Sequence, residues 1–251
     1  MRAQRFWKLG VVLAALALLT AGCFHSDDGG EAGGGAQTGQ TEAGEQAGSL
    51  LDEVESRGTL RCGVNDSVPG FGLQTEAGDF EGFDIDFCKV VAAAVLGDAE
   101  AVEFRPLSAE ERFTALQARE IDVLIRNTTW TSSRDGGEGA TFLKTTYYDA
   151  QGMMVRADSR YQGLEDMAGE TICVLSGTTT ELNLETVFRS RGIDYEPLSF
   201  EETDPLQEAF IQERCGAWTS DKSQLAGVRS NFPEDQGGPE SLVILDETMS
   251  K

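Results

Sequence analysis

Short apolar runs alternate with stretches of helical periodicity from residue 60 onward. Leu60-Arg61-Cys62-Gly63-Val64 reads as a strand, and Asn65-Asp66-Ser67-Val68-Pro69-Gly70-Phe71-Gly72 as a turn-rich loop. Phe83, Phe87, Val90, Val91, Ala94 and Val95 fall on one helical face, which Gly97 closes. Residues 101–107 predict a strand, 109–120 a helix, and Ile121-Asp122-Val123-Leu124-Ile125 a buried strand too short for a helix. Residues 145–156 look extended. A second series follows: strand 171–175, helix 178–191 closed by Gly192, strand 195–200, helix 206–214, strand 216–220, helix 221–230 and strand 242–245. Strand-helix alternation with short connections winds a parallel sheet right-handedly. The pattern therefore predicts an α/β chain of two small lobes, residues 50–150 and 151–247, joined through the extended segment 151–156. A ligand cleft is expected between the lobes.

Residues 1–49 carry no such pattern. Arg2, Arg5 and Lys8 precede a short apolar run, residues 9–20, and Leu19-Thr20-Ala21-Gly22-Cys23 ends it with small residues before a cysteine. The ending resembles a bacterial lipobox, so residues 1–23 are expected to be a lipoprotein-type signal peptide with Cys23 the lipidated residue. Lipid on Cys23 would anchor the protein to a membrane without spanning it. Residues 24–49 are mostly Gly, Gln, Thr, Ala and Glu, and they predict a disordered tether.

An exported chain changes the reading of its cysteines. Beyond Cys23 there remain Cys62, Cys88, Cys173 and Cys215, an even set that implies two disulfides. Chain order and the two-lobe division favour Cys62–Cys88 and Cys173–Cys215. The absence of any CxxC argues against a metal site, and no cofactor is expected. The single histidine, His25, lies in the leader, which removes Ser-His-Asp and Cys-His catalysis. A formal net charge of −23 argues against a nucleic-acid partner.

The strand 121–125 runs into Arg126-Asn127-Thr128-Thr129-Trp130-Thr131-Ser132-Ser133-Arg134. In open α/β sheets ligands bind at the carboxyl ends of strands, and the Arg134 fork suits a carboxylate. A solvated polar loop is an equal alternative. Ser176-Gly177-Thr178-Thr179-Thr180-Glu181 offers a helix N-terminus for an anion, and Thr178 with Glu181 also makes a capping box; both can hold. Asp221 ends a strand, either as an N-cap or as the partner of a ligand ammonium. Phe71, flanked by glycines, could cover a small ligand or pack at the core edge. Arg112 on the second helix could be solvated, and Trp130 could merely pack. An anion clamp facing a cation clamp across a cleft fits an amino-acid zwitterion.

Gly82-Phe83-Asp84-Ile85-Asp86-Phe87, running into Val90-Val91-Ala92, resembles the signature of family 3 bacterial solute-binding proteins, the polar amino-acid receptors of ABC importers. Residues 106–117, 126–131, 146–152 and 177–184 resemble the general L-amino-acid receptor subgroup. The resemblance implies a two-lobed periplasmic-binding-protein type 2 fold and a non-catalytic, monomeric receptor that hands an L-amino acid to an ABC permease. It implies that Arg134 holds the α-carboxylate with Thr129 and the Thr178–Thr179 helix start, and that Asp221 holds the α-ammonium with Asn127 lining the site. Arg112 matches a position that contacts the side-chain carboxylate in glutamate/aspartate receptors. The four cysteines also match the subgroup, whereas a lipobox departs from many of its members. Alternatives are a lipid-anchored enzyme on the same fold (a lytic transglycosylase or dehydratase) or a sensor ectodomain. In the family the chain crosses back after the second lobe to complete the first. Here it ends at Met249-Ser250-Lys251, with 248–251 the start of that crossing, so a truncated frame lacking part of lobe 1 is expected.

Overall fold

The computed structural model describes residues 49–250. The expected signal peptide, the lipidated Cys23 and residues 24–48 of the expected tether lie outside the described residues. Ser49, assigned to the tether, instead caps the first helix, α1 (Leu50–Arg57): its hydroxyl accepts from Asp52 N–H and the Asp52 carboxylate accepts from Ser49 N–H. The sequence reading missed α1 because only Val54 of its residues is buried, so it carries little apolar periodicity.

The first lobe is built on strands β1 (Leu60–Val64), β5 (Val102–Pro106) and β6 (Val123–Leu124), in parallel order β5-β1-β6. Between β1 and helix α2 (Phe83–Leu96) sits a small antiparallel meander, β2 (Ser67–Val68), β3 (Gly72–Gln74) and β4 (Phe80–Glu81). Strands this short show no alternation, so the sequence reads there as a loop. Gly82 closes the meander at φ 120, and a Cβ there would stand 2.3 Å from the Phe71 carbonyl oxygen; only glycine fits. Helix α3 (Glu111–Gln117) precedes β6. Of the expected strand 121–125 only Val123–Leu124 is regular strand, although Asp122 N–H and Ile125 N–H still donate to the Arg61 and Gly63 carbonyls of β1, both at 2.9 Å; the Asp122 side chain turns to charged partners. Its buried carboxylate pairs with Arg57 and Arg61 and accepts from Arg61 N–H at 2.7 Å, tying β6 to β1 and α1. The short helix α4 (Ser132–Gly137) follows the loop after β6. Residues 140–150 form no regular element, and of the extended reading over 145–156 the part from Gln151 is a strand.

The second lobe has one five-stranded sheet of β7 (Gln151–Arg156), β8 (Thr171–Leu175), β9 (Glu196–Phe200), β10 (Ala217–Asp221) and β11 (Leu242–Ile244), in order β11-β7-β10-β8-β9. Strands β8, β9 and β10 run parallel, while β7 is antiparallel to both β10 and β11. Residues 151–156 are thus not merely a connection but a strand within the sheet. Gln151 to Val155 are all buried, as a strand covered on both faces requires. Side chains alternate between two cores. Met153, Val155, Ile172 and Val174 face Leu184 and Phe188 of α5 (Thr179–Arg191). Met154, Cys173, Leu175 and Trp218 face Leu206 and Phe210 of α6 (Thr203–Ile211) and Leu225 and Val228 of α7 (Lys222–Ser230). Disulfides join Cys62 to Cys88 and Cys173 to Cys215, one in each lobe. At the end of the described chain, Ser250 bridges antiparallel to Gln151, where β7 begins. Among the described residues no helix is long and apolar enough to cross a membrane.

Candidate ligand-binding site

The two lobes meet at the carboxyl ends of β6, β8 and β10. After β6 the chain turns, and Thr131 caps α4 by accepting from Arg134 N–H at 3.2 Å. That cap starts a helix in Ser-Ser-Arg-Asp-Gly-Gly, a sequence with poor helix propensity, which explains why it was not foreseen. It also aims Arg134 inward, where only 8% of the residue is exposed. Arg134 Nη1 donates to the Thr129 carbonyl at 3.0 Å, and Nη2 crosses the cleft to the Gly177 carbonyl at 3.3 Å. Arg112 reaches the same Gly177 carbonyl at 3.2 Å from α3, and both guanidiniums lie over the Phe113 ring, 5.4 and 5.6 Å from its centre. Arg112 is therefore buried, not solvated. Burial, and then repulsion from Arg126 and Arg134, disfavours its charged form.

Lobe 2 contributes the start of α5 and the end of β10. Thr178 caps α5 by accepting from Glu181 N–H and donates to the Leu175 carbonyl, so its hydroxyl is already engaged. Glu181 reaches back one residue further than a capping box requires, to Gly177 N–H at 3.1 Å. Thr179 Oγ1 meets Thr129 Oγ1 of the other lobe at 2.9 Å. Gly177 sits at φ +69 and so close to lobe 1 that a Cβ would stand 2.8 Å from Glu110 Cγ. Asp221 holds the N-cap position of α7, but its carboxylate makes no capping bond. Burial first, and Asp149 second, raise its pKa to about 6 against the pull of Arg112 and Arg134.

These groups converge on one cavity of about 20 Å³, room for roughly one water. Arg112, Asn127, Thr129 and Arg134 line it from lobe 1, and Thr178, Thr179 and Asp221 from lobe 2. Phe71 is not brought into the lining. Its ring packs edge-on against Tyr147 and Phe83, at 5.1 and 6.0 Å, because the meander directs it into an aromatic cluster. Trp130 stacks on Phe142 and stays half-exposed. The cavity also includes Arg126, Leu175, Thr180, Ser220 and Gln224, none singled out as a site residue from sequence. Gln224 had a usable signal: it lies three residues after Asp221, on the same face of the helix. Among the described residues none of the three cavity arginines forms an ion pair. A larger cavity, about 390 Å³, opens between the meander and α6–α7. It presents Asp66 and Asp204 and, among the described residues, no lysine or arginine, so it offers a carboxylate no counter-charge. Among the described residues no cluster of His, Cys, Asp and Glu is placed to hold a metal ion.

Residues 60–241 match the family model of bacterial extracellular solute-binding proteins, family 3. The chain belongs to this family. Among its family 3 relatives, the general L-amino acid-binding periplasmic protein AapJ of Rhizobium johnstonii is 44% identical over 203 residues. That alignment covers 81% of this chain and 58% of the relative. The glutamate/glutamine/aspartate/asparagine-binding protein BztA of Rhodobacter capsulatus is 42% identical, over 83% of this chain and 61% of its own. The chain thus spans about three fifths of the length of these curated relatives. A solved periplasmic binding protein from Brucella ovis, with glutathione bound, superposes with a TM-score of 0.75 at 44% identity, covering 80% of this chain and 62% of that one. The two-lobed fold expected from sequence is the fold of these neighbours. The family and these relatives are described as solute-binding proteins.

Proposed function

We propose that this chain is an extracytoplasmic receptor that captures L-amino acids and delivers them to an ABC importer. The observation that carries it is the opposition of guanidiniums without an ion pair on lobe 1 to an uncapped carboxylate, Asp221, on lobe 2. Arg134, with Thr129 and the N–H groups at the start of α5, holds the α-carboxylate. Asp221 holds the α-ammonium. Arg112 and Arg126 add positive charge beyond what one α-carboxylate neutralises, so amino acids with acidic or amide side chains are favoured. The name of BztA supports that class, and that of AapJ supports L-amino acids in general. The cavity is smaller than an amino acid, so the lobes separate to admit the ligand and close around it. Residues 50–150 and 151–247 act as the closing lobes. Phe71, outside the cavity lining, shapes the rim through its aromatic cluster. The receptor works as a monomer, tethered through a lipid on Cys23 on the outer side of a membrane.

A thermal melt of the chain with each L-amino acid tests this. At a ligand concentration of 100 times Kd, binding adds about 2.7 kcal/mol of stability. Glutamate, glutamine, aspartate and asparagine are expected to raise the melting temperature most; a melt unmoved by any amino acid would contradict the proposal.

The raised pKa of Asp221 sets a pH dependence. Ligand ammonium binds the carboxylate form, so affinity is full above pH 6 and falls as pH drops through about 6. Below that point it should weaken by about tenfold per pH unit, until the bound-state pKa is reached. Titrating glutamine between pH 5 and 8 checks this, since its side chain does not ionise there. An Asp221→Asn variant should bind weakly with a flat profile; an unchanged slope would reject the assignment.

A further inference from the structure

Gln224 is 1% exposed, lines the cavity, and has an amide nitrogen with no hydrogen-bond partner. Which of its amide atoms is left over follows from donors that cannot be reversed. Asn65 Oδ1 accepts from the backbone N–H of Asp66 at 3.0 Å and of Ser67 at 3.4 Å. Its Nδ2 therefore faces outward and donates to Asn127 Oδ1 at 3.1 Å, where Arg126 Nε, a donor only, also points. With its oxygen so occupied, Asn127 presents Nδ2 across the cleft to Gln224 Oε1 at 3.1 Å. Ser220 Oγ donates to the same oxygen at 2.8 Å. The direction of the whole chain is fixed at the Asn65 and Arg126 ends, and it leaves Gln224 Nε2 as the terminal donor. Arg112 Nε, in the same lining, is a second buried donor without a partner. Gln224 and Asn127 form a hydrogen-bonded set separate from that of Arg134, Thr129 and Thr179, which are assigned to the α-carboxylate.

We infer that Gln224 is a specificity-determining residue whose Nε2 donates to an oxygen acceptor in the ligand's side chain, a carboxylate or amide carbonyl. The inference rests on the amino-acid receptor reading above. A buried donor left unpaired is costly, so ligands without the acceptor are rejected. Ser220 holds Gln224 Oε1 within lobe 2, and the second bond, from Asn127, forms only when the lobes meet.

The test is calorimetric titration of the 251-residue chain and its Gln224→Glu and Gln224→Met variants with L-glutamate, L-glutamine and L-alanine. In Gln224→Glu one carboxylate oxygen can still accept from Asn127 and Ser220, and the other faces the ligand. Glutamate affinity should fall by about tenfold or more relative to glutamine, whose NH2 can turn to donate. Gln224→Met removes the donor, and both should lose about tenfold more than alanine does. Equal losses for all three ligands in both variants would mean that Gln224 only bridges the lobes, and would overturn the inference. Failure of the parent chain to bind any of them would instead contradict the receptor reading itself.

Discussion

Replacing Arg134 with alanine is expected to weaken amino-acid binding by about 1,000-fold, roughly 4 kcal/mol, the range for deleting one partner of a buried charged pair. The size follows from the position. Arg134 is held by the Thr129 carbonyl, is buried over Phe113, and has no carboxylate of its own. A ligand carboxylate replaces the bond to the Gly177 carbonyl, exchanging a neutral acceptor for a charged one. Arg134→Lys should recover little of the loss, because a point charge cannot keep Thr129 and grip a carboxylate in a fork at once. Calorimetric titration with glutamine checks both variants. Alanine-variant affinity within tenfold of the parent would remove Arg134 from the site.

The second large effect is on stability. Replacing Cys173 and Cys215 by serine frees a loop with a sequence separation of 42, which chain entropy values at about 4 kcal/mol; the separation of 26 at Cys62–Cys88 gives about 3.5 kcal/mol. The Cys173–Cys215 bond lies in the core face with Trp218 and Phe210, so its loss also disturbs packing behind β8 and β10. Those strands carry Gly177 and Asp221 at their ends. Denaturant unfolding of the parent and the double-serine variant, under oxidising conditions, should show the loss. A difference below about 1 kcal/mol would mean that the bond constrains little in the unfolded chain.

The lobe 2 elements were legible in sequence because their strands are apolar runs bounded by clear helix stops: β8 fell on residues 171–175 and α5 on 179–191 with Gly192 in the left-handed cap. Lobe 1 was harder. Its meander strands are two or three residues long, and β6, which leads to the site, is only two. The site's charged residues could be guessed from their places at strand ends. Arg126 could not, and Gln224 only through its spacing from Asp221, since their placement depends on tertiary contacts: Arg126 donates to the Leu107 carbonyl, and Gln224 meets Asn127 of the other lobe. Phe71, whose flanking glycines suggested either a ligand cover or a core-edge residue, lies in an aromatic cluster with Phe83 and Tyr147.

The most direct test of the two-ended clamp is to titrate the chain calorimetrically with L-glutamate, with glutarate, which lacks the ammonium, and with 4-aminobutyrate, which lacks the α-carboxylate. With Arg134 gripping the carboxylate and Asp221 the ammonium, glutamate should bind and each analogue should lose about 100-fold or more. Either analogue binding within tenfold of glutamate would contradict the clamp.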